Sequence, residues 1–492
     1  MAKEEKGEEM WSGRLGFLLA AIGSAIGLGA VWRYPYLVYE YGGGAFLIPF
    51  LIALFVSGIP LMILELGVGK TFRTSAPFAF MRVNRKMAWV GWATLMIGFV
   101  IISYYTVVLA WSLVYMFYSP KLAWGGDPQG FFNNEVVHLS PGPGAIGGVS
   151  IAVLVMVIIT WIVIYLIVVK GIKMVSKVVM LTVPAPYILM TILAFFTLRL
   201  HGADVGLEYY LRPDFHALMN PEVWLAAFAQ IFFALSLSTG VMIAYSSRLD
   251  KKADVVNNAY IVSFLDIGYA FFAGIVVFST LGYMASAQGV PMSEVVSGGP
   301  GLAFATYPTA ISMLPSGAAT FGVLFFLMLF TLGIDSAFAT IEAVALGLKD
   351  AGLNYKRMSL MVCALGGGLA ALFATGGGYH WFWIVDNFFN EVGIVTMGIL
   401  ECFIIGYLYD PNNFVKNVNE TSELHVGRFW VYCIKYITPG ILVVMLVAKL
   451  IKTATSGFEG YPLWSLLAGG LLPLIVIGFV GVYMSRRWPG RD

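Results

Sequence analysis

The sequence predicts an all-α integral membrane protein of twelve transmembrane helices, and three observations predict it. Hydrophobic residues make up 59% of the 492 and charged ones 11%. So little charge cannot cover the surface of a water-soluble chain of this length. The apolar residues also gather into twelve stretches, each near or above the roughly 20 residues that a helix needs to cross a bilayer. These stretches are too long and too uniformly apolar for the alternating strands of a barrel. In hydrocarbon every backbone polar group needs an internal partner, which a helix supplies.

In chain order, spans 1 to 12 cover 15–39, 44–69, 89–118, 148–169, 178–199, 221–246, 257–285, 316–348, 359–375, 382–408, 428–452 and 463–485. Lys and Arg set their orientation. Lys70, Arg73, Arg82, Arg85 and Lys86 follow span 2, and Lys170, Lys173 and Lys177 follow span 4. Arg248, Lys251, Lys252, Lys349, Lys356 and Arg357 follow spans 6 and 8. The other side holds only Lys121, Arg199, Arg212 and Lys452. The positive-inside rule then places both termini in the cytoplasm of a multi-pass cell-membrane protein. The charged N-terminus has no signal-peptide pattern. The net charge of +2 and the lack of a basic stripe outside these loops speak against a nucleic-acid partner. Cys363, Cys402 and Cys433 fall in or near spans and read as packing residues, with no disulfide expected.

No soluble module interrupts the chain, so 1–492 reads as one membrane domain. Its longer loops, 119–147, 200–220 and 286–315, are all outside. The last contains Gly299-Pro300-Gly301-Leu302 and then Ala303-Phe304-Ala305-Thr306-Tyr307-Pro308. That string is either a partly buried hairpin over an outer vestibule or an ordered loop.

Two spans carry irregularities at mid-membrane depth. Span 1 reads Gly23-Ser24-Ala25-Ile26-Gly27-Leu28-Gly29-Ala30, and span 6 reads Ala234-Leu235-Ser236-Leu237-Ser238-Thr239-Gly240. Lying five spans apart, they form the pattern of two inverted repeats with paired broken helices. Unwound backbone there frees N–H groups that suit a carboxylate and carbonyls that suit a sodium ion. Gly23 and Gly27 alone would equally make a GxxxG packing face. The matching run in span 6 favours the break.

Ionisable groups inside spans are expensive and mark function. Arg33, Glu40, Glu65, Asp266, Asp335, Glu342, Asp386 and Glu401 stand out. Asp335 with Ser336 in mid-span 8 makes part of an oxygen cage for a hard cation. The plainer role, an Asp paired with a base, finds no base in spans 7 to 9. The histidines (His138, His201, His216, His380, His425) lie in loops or at span ends, and no catalytic cluster is visible, so an enzyme is not expected.

From Trp11 to the last span these residues resemble the neurotransmitter:sodium symporter family. The strings that carry the resemblance include Trp11-Ser12-Gly13-Arg14, Gly23 through Gly29, Trp32-Arg33-Tyr34-Pro35 and Glu40-Tyr41-Gly42-Gly43-Gly44-Ala45-Phe46. Gly58-Ile59-Pro60-Leu61-Met62, Gln230-Ile231-Phe232-Phe233, Leu332-Gly333-Ile334-Asp335-Ser336 and Tyr436-Ile437-Thr438-Pro439 complete it. The resemblance implies two inverted five-helix repeats, spans 1–5 (14–200) and 6–10 (221–410), with broken spans 1 and 6. Two further helices lie in 428–485 and a cytoplasmic segment in 1–13. It implies a sodium-coupled symporter of amino acids or related small zwitterions, in the lipid bilayer, as a monomer or homodimer.

The family's second sodium site (Na+) falls by position on Gly23, Ile26, Leu332, Asp335 and Ser336. Its substrate pocket falls on Ala25, Gly27, Leu28, Gly29, Ile101, Tyr105, Phe233, Ser236, Thr239, Ser336 and Thr340. Amino-acid members hold a carboxylate with span-1 amides and the hydroxyl at Tyr105. Monoamine members place an Asp at Gly27, so an amino acid is expected here. The outer gate falls on Arg33 and Asp386, with Tyr105 and Phe233 as a lid. The inner gate falls on Trp11 and Asp350. The arginine that usually pairs with this Asp aligns with Glu8, leaving Lys6 or Lys3 as substitutes.

This chain departs from the family at two ion sites. At the first sodium site, Ala30 replaces an Asn, Ala234 a Thr or Ser, and Asp266 an Asn. At the chloride site Phe50, Ala234 and Ala270 replace hydroxyls, and Gln230 alone remains. One sodium per cycle and no chloride are therefore expected. Asp266 would then carry a proton or face a substrate amino group. A sensor or channel on the same scaffold is the reading from another class, and a proton-assisted amine or amino-acid transporter using Asp266 is a further one.

Overall fold

A computed structural model describes residues 10–488, so Lys3, Lys6 and Glu8, named above for the inner latch, lie outside the described residues. Among those described, ten helices are long and apolar enough to cross a membrane. They match the predicted spans 2–5 and 7–12, from Gly44–Phe72 to Leu463–Arg487, with spans 5 and 10 beginning earlier than predicted, at Ile172 and Gly376. An eleventh is the bent pair Arg14–Ala25 and Gly29–Glu40, whose halves meet at 50°. The predicted span 6 is divided into Pro221–Ala234 and Val241–Ser246, and neither half alone is long enough to cross.

The outer faces of spans 4, 5, 9 and 12 carry large apolar side chains with no protein cover. Ile151, Leu181, Leu365 and Phe479 are 77%, 74%, 60% and 73% exposed. Water would not tolerate such continuous apolar surface, whereas acyl chains do.

Prolines bend these helices in a repeated way. π-Turns at Leu54–Gly58, Leu302–Thr306, Cys433–Ile437 and Leu467–Leu471 each end two residues before a proline, at Pro60, Pro308, Pro439 and Pro473. A proline has no N–H for the carbonyl four residues back, and the wider turn absorbs the loss. In span 2 the Val56 carbonyl, deprived of Pro60, accepts the Thr438 hydroxyl of span 11 at 3.0 Å. The Trp430 indole N–H of the same span donates to the Pro60 carbonyl at 3.0 Å. Span 11 is thus tied to span 2 at the point where span 2 needs partners.

Spans 3 and 8 pack along each other through the centre, with span 1 against span 8. The loop 286–315 is the buried hairpin of the two alternatives. Its helical turns place Phe304, fully buried, against Trp32, Trp111, Phe132 and Phe326. The Tyr115 hydroxyl donates to the Phe304 carbonyl at 2.8 Å. This hairpin covers one end of spans 1, 3 and 8, the end that carries Trp32, Trp111 and Phe326.

Candidate functional site

The span-1 helix stops at Ala25 and resumes at Gly29. Span 6 stops at Ala234 and resumes at Val241, with Ser236, Ser238 and Gly240 at φ of 50°, 56° and 76°. Left-handed backbone costs non-glycine residues about 1 kcal/mol or more each, so something must hold it. Glu65 of span 2 accepts the Ser238 N–H at 2.7 Å, and Glu401 of span 10 accepts its hydroxyl at 3.0 Å. Both carboxylates are fully buried. Their assignment to the span-6 break was not foreseen; their only signal in the sequence was charge inside a span.

The two breaks face each other. The Ser24 carbonyl, freed where span 1 unwinds, accepts the Ser236 hydroxyl at 2.8 Å and the Ser336 hydroxyl at 3.1 Å. Ser336 Oγ is also 3.5 Å from the Gly23 carbonyl. Asp335 Oδ2 lies so close to Gly23 that a Cβ there would stand 2.6 Å from it. Gly23, Ile26, Leu332 and Asp335 together line one small cavity, and Ser336 stands at its edge, lining the larger cavity next door. A carboxylate, a hydroxyl and freed carbonyls make the all-oxygen surroundings that a hard cation takes.

Every residue expected at the substrate pocket lines that larger cavity: Ala25, Gly27, Leu28, Gly29, Ile101, Tyr105, Phe233, Ser236, Thr239, Ser336 and Thr340. The Tyr105 hydroxyl accepts the Leu28 N–H at 3.3 Å. The Phe233 ring lies over Gly29, where a Cβ would stand 2.7 Å from the ring. The Arg33 guanidinium sits 5.0 Å above the centre of that ring. Gly29, Phe233 and Arg33 thus form a stack over the cavity.

Asp266, Gln230, Ala30, Ala234 and Ala270 line the same cavity. Asp266 Oδ2 and both amide atoms of Gln230 are buried with no hydrogen-bond partner. Phe50 is fully buried and packs against Tyr34, the rings tilted by 41° with centroids 4.9 Å apart.

The gate at Arg33 differs from the expected pairing. Arg33 meets Glu391 at 3.8 Å, not Asp386. Asp386 instead accepts the Tyr104 hydroxyl and the Asn390 amide, both at 2.8 Å. Glu391 is shared with Lys449 of span 11 at 2.7 Å. Neither Glu391 nor Lys449 sits in a recognisable motif. At the other end of the bundle, the N-terminal partner expected for Asp350 lies outside the described residues. The Trp11 indole donates to the Tyr245 carbonyl at 2.8 Å, and its ring packs edge-on against Tyr245 and Phe17. Asp350 accepts the Ser75 N–H, the Ser75 hydroxyl and the Thr74 hydroxyl at 2.7–2.8 Å, fixing the turn that starts the helix Ala76–Val83. A buried ion pair that the sequence did not announce, Arg248 with Glu342, lies beneath Trp11. The Arg248 carbonyl accepts the Trp11 N–H at 3.3 Å.

Comparison with known proteins adds the following. The family model described as "Sodium:neurotransmitter symporter family" matches residues 8–127 and 125–489. A Methanocaldococcus jannaschii protein described as an uncharacterized sodium-dependent transporter is 41% identical over 474 residues, 96% of each chain. The sodium-dependent dopamine transporter of Caenorhabditis elegans is 30% identical over 99% of this chain and 89% of its own. The sodium- and chloride-dependent GABA transporter 2 of Bos taurus is 31% identical over 95% of this chain and 84% of its own.

Proposed function

The chain belongs to the sodium:neurotransmitter symporter family, as a sodium-dependent secondary transporter, and from that premise we propose that it carries amino acids or related small zwitterions by alternating access. It does so with one sodium per cycle, at the second site, and without chloride. The observation that carries this reading is the meeting of Asp335 and Ser336 with the freed span-1 backbone at Gly23 and Ser24. Sodium bound there ties span 8 to span 1 and favours the outward-facing state; its inward loss frees the cytoplasmic half of span 1.

The architecture that goes with this reading has twelve spans, span 6 counted from its two halves. They form inverted repeats 14–200 and 221–410, with 428–485 beside them, in one domain 1–492 with both termini cytoplasmic, as a monomer or homodimer. The substrate carboxylate lies at the span-1 amides near Leu28 and Gly29 with Tyr105, and Gly27 leaves no carboxylate to hold a bare amine. Alanine at 30 and 234 removes oxygens from the first sodium site. Phe50, Ala234 and Ala270 offer a chloride ion no hydroxyl, and Asp266, when ionised, repels it. Here the reading parts from the Bos taurus GABA relative described as chloride-dependent.

A thermal-shift screen of amino acids and amines, with and without sodium, identifies the substrate, because a ligand of the folded state raises its melting temperature. Uptake into proteoliposomes then rises hyperbolically with sodium and is unchanged when gluconate replaces chloride. A Hill coefficient near two would sink the single-sodium reading, and loss of uptake in gluconate the chloride-free one.

One observation favours a second reading, in which a proton accompanies the substrate. Asp266 Oδ2 is buried in the cavity wall without a hydrogen-bond donor. An unpaired buried carboxylate is costly ionised, so a proton there substitutes for the missing sodium. Asp266→Asn is then expected to flatten the pH dependence of uptake. An unchanged pH profile in that variant rules the proton role out.

A further inference from the structure

Span 5 carries a polar side chain that none of the motifs above uses. Thr182 ends the helix Ile172–Thr182, and a second helix, Pro184–Thr197, follows after Val183. Pro184 and Pro186 have no N–H, so the helical ladder loses two donors just beyond Thr182. This interruption lies beside the cation cavity, which Thr182, Val183 and Pro186 line together with Gly23 and Asp335.

The Thr182 hydroxyl is 2.6 Å from Asp335 Oδ1 and 3.1 Å from the Val178 carbonyl. It has one proton for two acceptors. A bond to an ionised carboxylate is shorter and stronger than one to a neutral carbonyl, so the proton goes to Asp335. The other carboxylate oxygen is the one pressed on span 1: a Cβ at Gly23 would stand 2.6 Å from Oδ2 and 2.6 Å from Val183 Cγ2. Asp335 is thus held at Oδ1 by a span-5 hydroxyl, while Oδ2 stands close beside Gly23 of span 1.

We propose that Thr182 is a positioning residue for the coupling ion: its hydroxyl fixes the Asp335 carboxylate so that Oδ2 faces the span-1 carbonyls. This rests on the reading of Asp335 as a sodium ligand. The ordinary role of a threonine within a helix is a bond to the carbonyl four residues back. Thr182 has that contact too, but at the longer distance and to the weaker acceptor. A fixed carboxylate also fixes the size of the oxygen cage, and cage size and rigidity are what separate one hard cation from another. Thr182 therefore acts on affinity and on the choice between sodium and lithium.

The test is binding of radiolabelled sodium to the full chain in detergent, competed with unlabelled sodium or lithium. Native protein, Thr182→Val, Thr182→Ser and Asp335→Asn are compared, each checked for a monodisperse profile. Loss of a hydrogen bond to a charged group amounts to about tenfold in affinity. Thr182→Val is expected to raise the half-saturating sodium concentration by about that factor and to narrow the sodium-to-lithium ratio, and Thr182→Ser to restore both. If Thr182→Val does not fold, Thr182→Ala is judged by the same two numbers. Native affinity and selectivity in the valine or alanine variant, with binding lost in Asp335→Asn, overturn the role of Thr182 and leave the sodium site standing. Sodium binding that is unchanged in Asp335→Asn overturns the sodium reading itself, and this inference with it.

Discussion

Asp335→Asn is expected to reduce sodium-driven uptake to background at sodium concentrations that saturate the native protein. The substitution keeps the side chain's size and an oxygen, so the packing of span 8 against span 1 survives. What it removes is the one negative charge at the cavity formed with Gly23, Ile26 and Leu332. A sodium ion entering a buried cavity loses most of its hydration, and carbonyl and hydroxyl oxygens replace only part of it. The carboxylate supplies the rest through a short-range attraction that low dielectric strengthens. Removing one partner of a buried charge pair costs about 3–5 kcal/mol, which is on the order of a hundredfold or more in half-saturating sodium. The control is the melting temperature. Sodium stabilises the native protein by binding the folded state, about 2.7 kcal/mol at a hundred times the dissociation constant. That sodium-dependent shift should vanish in Asp335→Asn while the sodium-free melting temperature stays close to native. A variant that keeps the shift but loses uptake would place the defect in substrate handling and remove Asp335 from the ion site.

The parts of this site that were legible in the sequence are those encoded locally. Three glycines between Gly23 and Gly29 announce a helix that stops, because glycine is a poor helix former and hydrocarbon makes every weak turn expensive. An Asp next to a Ser in mid-span 8 announces a cation by cost alone. The helix ends followed for the same reason: apolar length is a local property, and most spans agree within a few residues. Span 6 shows the limit of that argument. Its halves are each too short to cross, and only the run from Ser236 to Gly240 suggests that they belong together.

What stayed hidden depends on which faces meet across the bundle. Arg33 pairs with Glu391 although Asp386 is the residue the motif points to. The two acids lie five positions apart, and the π-turn Phe389–Ile394, which begins after Asp386 and contains Glu391, changes the angular spacing along span 10. No sequence pattern marks that turn. Lys449 lies in span 11, which the family pattern leaves without a role, yet it shares Glu391 with Arg33. The holders of the span-6 break, Glu65 and Glu401, were visible as buried charges but not as a pair, since spans 2 and 10 converge on Ser238 only in three dimensions. Thr182 carried no signal at all, because a threonine in an apolar helix usually bonds to its own backbone.

The side proposed to face the cytoplasm makes the second large prediction, and it follows from a charge that moved. The arginine that closes this side in the family aligns with Glu8, which lies outside the described residues. Arg248, at the end of the second half of span 6, is buried against Glu342 of span 8, with side-chain exposures of 8% and 1%. The Tyr355 hydroxyl, at the start of span 9, donates to the second oxygen of Glu342. The Arg248 backbone holds Trp11, so one ion pair joins spans 6, 8 and 9 to the start of span 1. Breaking such a pair from one side leaves a bare buried charge, at a cost of about 3–5 kcal/mol, whereas replacing both partners with apolar residues of similar volume is near neutral. Arg248→Met alone and Glu342→Leu alone are therefore each expected to lower the melting temperature strongly. The double variant Arg248→Met, Glu342→Leu is expected to recover most of the loss, a coupling that a double-mutant cycle measures directly. The single variants should also admit water from the cytoplasmic side, because hydration is the cheapest partner for the stranded charge. A cysteine placed at Ala25 should then react faster with a thiol reagent added from that side in either single variant than in the double. Additive melting losses, with no recovery in the double variant, would mean that the two side chains do not act as a pair, and the inner closure would then rest on Trp11 and the Asp350 turn alone.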